Sequence, residues 1–289
     1  MAKQVDSPAG VSVEKVKGET TERFLFPVPV ENLPTKGMFY RDDIRISIKS
    51  CTVADIRDFS LIDEEDIMSV NEKLEGIISN VSVKYGRVDG SYKDLCEADK
   101  IYLLVLIKEL TFKEAENSIY LPITNRKCKC FKDENVLLTA ELLATSFATP
   151  MDNEKIAALY SSEVKGFVLD LGEKLPPLVI SSPSIGVYAY CRDWAMERER
   201  KGDDWDKALL SFIPFVQRDW RGFNDETITA IIGEMMQWDQ ATFLKVYSTI
   251  EKLGFGISES IKLKCPHCES EAEARISFRI KNLFIPETA

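Results

Sequence analysis

Histidine is almost absent from this chain of 289 residues, which contains one, and no GxxxxGK[ST] phosphate-binding loop is present. The single histidine, His267, stands between two cysteines, so no free imidazole base remains for a serine or cysteine nucleophile. Acidic clusters at residues 63–66 and 203–204 offer carboxylates for a hard cation, but such runs are typical of solvated helix starts. We therefore expect a protein that is not an enzyme. A metal-dependent hydrolase is a rival only if the two clusters converge in one pocket.

Long hydrophobic runs and an excess of positive charge are also missing. The longest apolar stretch, residues 101–107 (IYLLVLI), is far shorter than the roughly 20 residues that a helix needs to cross a bilayer. No apolar segment follows Met1, so we expect no signal peptide. The net charge is −10, and an acidic surface repels phosphate backbones and anionic lipid. We expect no nucleic acid, no membrane and no small-molecule substrate as partners.

Dense cysteine spacing is lacking as well. The seven cysteines are an odd number without the pattern of a disulfide framework, which favours a reducing, cytoplasmic compartment. Cys51, Cys96 and Cys191 lie among apolar neighbours and are predicted to be small core residues. The other four cysteines carry the chemical argument below.

What is present is an apolar fraction of 45%, which is typical of a globular core. Alternation over residues 44–48 predicts a strand, and Thr52 with Asp55 three residues later predicts a helix start. Further predicted helices are residues 63–80, 98–109, 184–200, 204–215 and 225–253. Further predicted strands are residues 118–124, 165–172, 177–180, 261–264 and 274–278. The pattern predicts an α+β fold, helix-rich with short antiparallel hairpins.

The predicted order of elements is the same in both halves of the chain: a hairpin, helices, a strand and a cysteine pair. We interpret the polar residues 1–22 as a flexible tail and residues 23–135 as an N-terminal α+β lobe. Residues 136–289 are then a C-terminal α+β lobe that ends in a zinc-ribbon-like hairpin. One compact unit and two related lobes from an internal duplication both remain open.

The strongest chemical signal is the CPHC sequence at residues 265–268. A C-x-x-C pair with an intervening proline bends the backbone so that both thiolates face one tetrahedral metal, and zinc then needs two more ligands. Cys128 and Cys130 are the obvious second pair. We therefore predict a structural zinc ion held by Cys128, Cys130, Cys265 and Cys268, with His267 as a turn residue rather than a ligand.

Two other interpretations of these cysteines remain. In the first, Cys265 and Cys268 form a reduced pair without metal, and Cys128 and Cys130 are surface thiols. In the second, the C-x-x-C pair is redox-active, although such a pair normally opens a helix and strand-like sequence surrounds this one.

Several motifs, taken in their order, resemble baseplate hub subunits of contractile-tailed bacteriophages of the T-even type. In the N-terminal part they are residues 33–40 (LPTKGMFY), the strand at 44–48, residues 52–55 (TVAD) and the helix at 98–109. In the C-terminal part they are residues 253–257 (LGFGI), CPHC at 265–268 and residues 282–286 (NLFIP). The resemblance extends over residues 33–286 with an unmatched middle. The chain departs from a usual zinc knuckle in its C-x-C first pair and in Glu269, which stands where a glycine usually follows the second cysteine.

The resemblance implies a tail component without catalytic residues, either a hub subunit or a chaperone-like factor for hub and baseplate assembly. Such a protein acts on other phage tail and baseplate proteins in the host cell cytoplasm. If it is a hub subunit, it also remains in the virion baseplate. The alternative is a zinc-ribbon accessory or regulatory protein of a nucleic-acid machine. A basic groove beside the ribbon would favour that alternative. The net negative charge of the whole chain disfavours it.

Overall fold

The computed structural model describes residues 14–15, 24–63, 65–112, 118–173, 175–276 and 283–284. Helix accounts for 42% and strand for 21%, so the predicted α+β class with more helix than strand is confirmed. The helices are α1 (Val53–Ser60), α2 (Ile67–Ile78), α3 (Lys100–Thr111), α4 (Ala140–Ala144), α5 (Glu154–Ala157), α6 (Ile185–Lys201), α7 (Lys207–Val216), α8 (Asp225–Met235) and α9 (Gln240–Lys252). The strands are β1 (Glu14–Lys15), β2 (Phe24–Val28), β3 (Ile44–Ile48), β4 (Val81–Tyr85), β5 (Val88–Asp89), β6 (Tyr120–Arg126), β7 (Asn135–Leu137), β8 (Phe147–Ala148), β9 (Tyr160–Ser161), β10 (Gly166–Leu169), β11 (Leu178–Ile180), β12 (Gly256–Ile257), β13 (Ser260–Lys264) and β14 (Glu271–Arg275).

The first sheet has the order β1-β2-β3-β4-β5 and is antiparallel throughout. Ile44, Ile46 and Ile48 of β3 face the core while Arg45 is exposed, which is the alternation that predicts this strand. Helix α1 begins with the predicted capping box, in which the Thr52 side chain accepts from the backbone N–H of Asp55 and the Asp55 side chain accepts from that of Thr52.

The predicted helix over residues 225–253 is wrong as a single element. Helix α8 ends at Met235 and α9 starts at Gln240, because the Asp239 side chain accepts a 2.8 Å hydrogen bond from the Thr242 backbone N–H and caps a new helix. Helix α6 begins after its N-cap Ser184, is 17 residues long and is the longest described helix.

The described residues form two apolar cores. The larger core draws buried residues from Val28 to Phe284, on both sides of the predicted lobe boundary at residue 135. The smaller core lies among α6, α7 and α8, and Trp238 and Ile250 pack against both cores. The division into two related lobes stays a prediction. Of the predicted tail, Glu14–Lys15 pairs with Phe24 and Leu25 as a short strand, and the rest lies outside the described residues.

A separate four-stranded sheet has the order β13-β14-β6-β7 and brings the two cysteine pairs together. Its inner face is apolar: Ile123 of β6, Ile261 of β13, and Ala272 and Ala274 of β14 are buried in the larger core. The predicted returning strand at 274–278 begins three residues earlier, at Glu271, and residues 277–278 lie outside the described residues. Within the described part of the chain, no helix has the length and apolar character to cross a membrane.

Candidate metal centre

Two hairpins of this sheet carry all four predicted ligands. Residues 127–134 join β6 to β7 and carry Cys128 and Cys130, while residues 265–270 join β13 to β14 and carry Cys265 and Cys268. Strands β14 and β6 are antiparallel, with Ala272 opposite Arg126. The end of β6 therefore lies beside the start of β14, and both loops project from the same end of the sheet.

The sheet ladder continues into the first loop. The Lys127 backbone N–H donates a 3.2 Å hydrogen bond to the Glu271 carbonyl oxygen, and the Lys127 ammonium forms an ion pair with the Glu271 carboxylate. Both groups of this ion pair are largely exposed, so its own contribution to stability is small. The backbone bond matters more, because it fixes the residue before Cys128 against the second hairpin.

The second loop closes in a tight turn around its cysteines. The Cys265 backbone N–H donates a 2.9 Å hydrogen bond to the Ser270 carbonyl oxygen, and the Glu269 N–H donates a 2.9 Å bond to the Cys265 carbonyl oxygen. Glu269 has a φ of +56°, in the left-handed region that favours glycine. A zinc knuckle usually has a glycine directly after its second cysteine. Here Glu269 occupies that position and adopts the left-handed conformation with backbone strain.

The four cysteine sulfur atoms all lie within 4.8 Å of one another. The Sγ atom of Cys130 is 3.1 Å from that of Cys268 and 3.6 Å from that of Cys265. A tetrahedral site with zinc–sulfur bonds of about 2.3 Å has sulfur atoms about 3.8 Å apart. The structure therefore brings together the four cysteines that the sequence predicts, in an arrangement that can hold a metal ion.

Burial and hydrogen bonding differ among the four thiols. Cys265 is only 1% exposed, Cys128 and Cys130 are half-buried, and Cys268 is exposed. Hydrogen bonds from the Ser270 side chain, together with those from Cys130 and the Ser270 backbone, lower the pKa of Cys268 to about 6. Hydrogen bonding to Cys268, Cys128 and Cys265 raises the pKa of Cys130 to about 12. The thiolate is the form of cysteine that binds a metal ion, and the lowered pKa favours that form at Cys268.

The remaining sequence candidates lie outside this cluster. His267 is exposed in the second loop and is not one of the grouped residues. Cys96 and Cys191 are buried in the cores, and burial raises the pKa of Cys96 to about 11 and that of Cys191 to about 12. Cys51 is half-buried against the larger core. Cys96 and Cys191 are therefore core residues, as predicted, whereas Cys51 only packs against a core.

The acidic clusters serve local structure. The Asp66 side chain caps α2 by accepting a 2.9 Å hydrogen bond from the Met68 N–H, and Asp63 accepts one from the Glu65 N–H. Asp203 forms an ion pair with Arg198, 3.0 Å away. Among the described residues, the four cysteines are the only group of histidines, cysteines and carboxylates that could hold a metal ion. Glu64 of the first acidic cluster lies outside the described residues.

Sequence reasoning missed two parts of the site. Strand β7 has only three residues and is defined by its pairing with Tyr120, Leu121 and Pro122 of β6. The Ser270 Oγ lies 3.2 Å from the Cys268 Sγ. The only sequence signal for Ser270 is its position two residues after the last cysteine.

Comparison of the whole chain with known proteins finds no matching family model, no similar curated protein and no similar solved structure.

Proposed function

We propose that the four-cysteine cluster, Cys128, Cys130, Cys265 and Cys268, binds one zinc ion and makes the four-stranded sheet a zinc ribbon. The observation that supports this most directly is the approach of all four sulfur atoms within 4.8 Å. Thiolates are soft ligands, and four of them in a compact group are typical of zinc and of iron–sulfur centres. Two short cysteine-bearing loops on neighbouring hairpins are the form of a zinc ribbon.

Four protein ligands fill the coordination shell of zinc and leave no position for a water or substrate, so the proposed site is structural. The proposed site joins distant parts of the chain, since Cys130 and Cys265 are 135 positions apart in the sequence. Because the ligands lie on two hairpins from distant parts of the sequence, zinc binding stabilises the sheet that unites them. Binding free energy at such a site adds directly to the free energy of unfolding.

The wider role that we propose is assembly of a phage contractile-tail baseplate hub, through protein–protein contacts and without catalysis. The support for this role is the resemblance of several motifs, in their order, to T-even-type hub subunits. Two of those motifs have structural roles in this chain. Residues 33–40 are anchored to Asp99, and CPHC supplies two of the four clustered cysteines.

Metal analysis of the full-length protein tests the zinc site. We expect one zinc per chain, retained on gel filtration, and replacement by Co²⁺ should give the charge-transfer absorption of four thiolate ligands. The Cys265→Ala variant should lose the metal, whereas Cys191→Ala, which removes a buried thiol of the smaller core, should keep it. A protein that contains no zinc and takes up none when reduced would rule out the site.

Removal of the gene from a phage that encodes this chain tests the wider role. We expect tails without complete baseplates in electron micrographs of the lysate, and restoration by the gene supplied in trans. Tagged protein from infected cells should co-purify with tail proteins. Complete and infectious particles without the gene product would contradict the proposal.

A second candidate function has one observation in its favour. Arg126, Lys129 and Lys132 on the first hairpin and Lys262 and Lys264 on the second are basic residues near the metal centre, and this is the local feature that a nucleic-acid-binding ribbon needs. Glu269, Glu271 and Glu273 interrupt the same surface. A gel-shift assay decides: salt-sensitive DNA or RNA binding that is lost in Lys129→Gln/Lys264→Gln favours this function over hub assembly.

A further inference from the structure

The sulfur atoms of Cys130 and Cys268 lie in close contact, and the two residues belong to different hairpins. Their Sγ atoms lie 3.1 Å apart, whereas Cys130 and Cys265 are 3.6 Å apart. A disulfide bond has an S–S length of about 2.05 Å, so the two atoms need to approach by only about 1 Å. The backbone bond from Lys127 to Glu271 already holds the bases of the two loops together.

Access distinguishes the four thiols. Cys268 is exposed, Cys128 and Cys130 are half-buried, and Cys265 is buried. A small oxidant in solution therefore meets the sulfur of Cys268 first. Cys130 is well placed to react with the product, since its sulfur atom lies 3.1 Å away on the other hairpin.

We infer that Cys130 and Cys268 form an oxidant-dependent disulfide bond that connects the two hairpins and takes the place of the metal. The oxidant is hydrogen peroxide. The Cys268 sulfur, having released its thiol proton, attacks a peroxide oxygen; the O–O bond breaks, Cys268 becomes a sulfenic acid, and the departing hydroxide takes up that proton and leaves as water. The Cys130 thiol then gives up its proton as its sulfur attacks the Cys268 sulfur; the S–S bond forms, the S–O bond breaks, and the departing hydroxide takes that proton and leaves as the second water. Two thiols and one hydrogen peroxide thus give one disulfide and two waters, and a dithiol reductant reverses the change.

The metal-release part of this inference rests on the proposed zinc site. Oxidation of two of four ligands leaves only Cys128 and Cys265, which are too few to retain zinc. The disulfide keeps the hairpins joined after the metal leaves, because it links positions 138 apart in the chain. The site therefore has two cross-linked states, one with zinc and reduced thiols and one with a disulfide bond and no zinc.

Peptide mapping of the full-length protein tests the pairing. Metal-free, reduced protein is treated with hydrogen peroxide, blocked with iodoacetamide and digested with trypsin without reduction. Cleavage after Lys129 separates Cys128 from Cys130, which lies in the peptide 130–132, while Cys265 and Cys268 share the peptide 265–275. We expect peptides 130–132 and 265–275 to be joined, with fragmentation between Cys265 and Cys268 assigning the bond to Cys268. A bond within 265–275, a bond between Cys128 and Cys130, or oxidation to sulfonic acids without any bond overturns the inference.

Two variants and a metal measurement complete the test. Cys268→Ala should lose the linked peptides, and Cys128→Ala, which removes one ligand but neither partner of the bond, should retain them. An unchanged yield in Cys268→Ala overturns the pairing. In zinc-loaded protein, a chromogenic chelator should report one zinc released per disulfide formed. If the reduced protein takes up no zinc yet the Cys130–Cys268 bond forms on oxidation, the zinc proposal fails and the pairing stands. If the reduced protein binds zinc and the bond does not form, the pairing fails and the zinc proposal stands.

Discussion

The phenol oxygen of Tyr40 donates a 2.6 Å hydrogen bond to the carboxylate of Asp99. Thr35 adds two more bonds to the same carboxylate, from its backbone N–H at 2.9 Å and its hydroxyl at 2.8 Å, and the Tyr40 oxygen itself accepts from the Cys96 N–H at 2.9 Å. All four residues are buried. This network fixes the segment 33–40 to the start of α3 and gives a structural reason for the LPTKGMFY sequence.

Removal of the Tyr40 hydroxyl should destabilise the protein. The Tyr40→Phe variant keeps the ring but leaves the buried Cys96 N–H without its partner and takes one donor from Asp99, so we expect a loss of about 2–3 kcal/mol in the free energy of unfolding. Chemical denaturation measures it. Tyr120→Phe, at an exposed tyrosine of β6, is the matched control and should change the value by no more than about 0.5 kcal/mol. Equal effects in both variants would mean that the network contributes nothing.

Asp99 should also give a distinct pH dependence. Burial raises its pKa from 3.8 to about 6, despite the hydrogen bonds from Tyr40 and Thr35 that oppose the shift. Between these pH values the folded state binds more protons than the unfolded state, so the free energy of unfolding falls as the pH rises from about 4 to about 6. The decline due to this group amounts to at most about 3 kcal/mol. Chemical denaturation across that pH range measures the free energy of unfolding. The decline should be present in the unmodified protein and absent from Asp99→Asn.

Asp94 provides a control of opposite sign. Desolvation raises its pKa, but hydrogen bonds from Arg221, Ser91 and Trp220 outweigh it and lower the pKa below its ordinary value. Its stabilising effect is therefore present above the ordinary pKa and is lost as the pH falls. The difference between the protein and Asp94→Asn should grow with pH, whereas the Asp99→Asn difference should move the other way. Parallel slopes for the two variants would contradict both assignments.

Local sequence signals predicted much of this fold because they reflect forces that act within a few residues. The alternating isoleucines of Ile44–Ile48 and the capping box at Thr52 need no tertiary information. The break between α8 and α9 was missed because apolar residues continue at helical spacing across it, and only the side chain of Asp239 marks the new start. Strand β7 was missed because three residues form a strand only when β6 is beside them.

The candidate site was predictable for a different reason. A structural zinc ion needs four protein ligands, and the single histidine of the chain already lies inside the CPHC motif. The C-x-x-C pair therefore called for a second cysteine pair, and the sequence had one obvious choice. The order of strands that unites the pairs was not predictable, because the pairing of β14 with β6 depends on contacts between segments more than 140 positions apart. Likewise, no local rule predicts a glutamate in a left-handed turn.

Replacement of that glutamate should stabilise the second hairpin. Glu269 has a φ of +56°, which costs about 1 kcal/mol or more for a residue with a Cβ atom. The Glu269→Gly variant removes the strain, so we expect the free energy of unfolding to rise by about 1 kcal/mol and zinc to bind about fivefold more tightly. Competition with a chelator of known affinity measures the second quantity. Glu269→Ala is the matched control, since it removes the same carboxylate but keeps the Cβ atom, so the gain of Glu269→Gly over Glu269→Ala measures the backbone strain.

The basic residues around the cluster should strengthen metal binding. Four thiolates and one Zn²⁺ carry a net charge of about −2, and cations nearby offset it. Lys129 lies between the two cysteines of the first pair, Lys264 directly precedes Cys265, and both are exposed. The double variant Lys129→Gln/Lys264→Gln should bind zinc roughly fivefold more weakly at low salt, and the difference should shrink as salt screens the charges. Lys252→Gln, at the end of α9, is the control and should leave affinity unchanged. Zinc affinity in the double variant equal to that of the control at low salt would show that these lysines serve another purpose, and the nucleic-acid alternative would then account for them better.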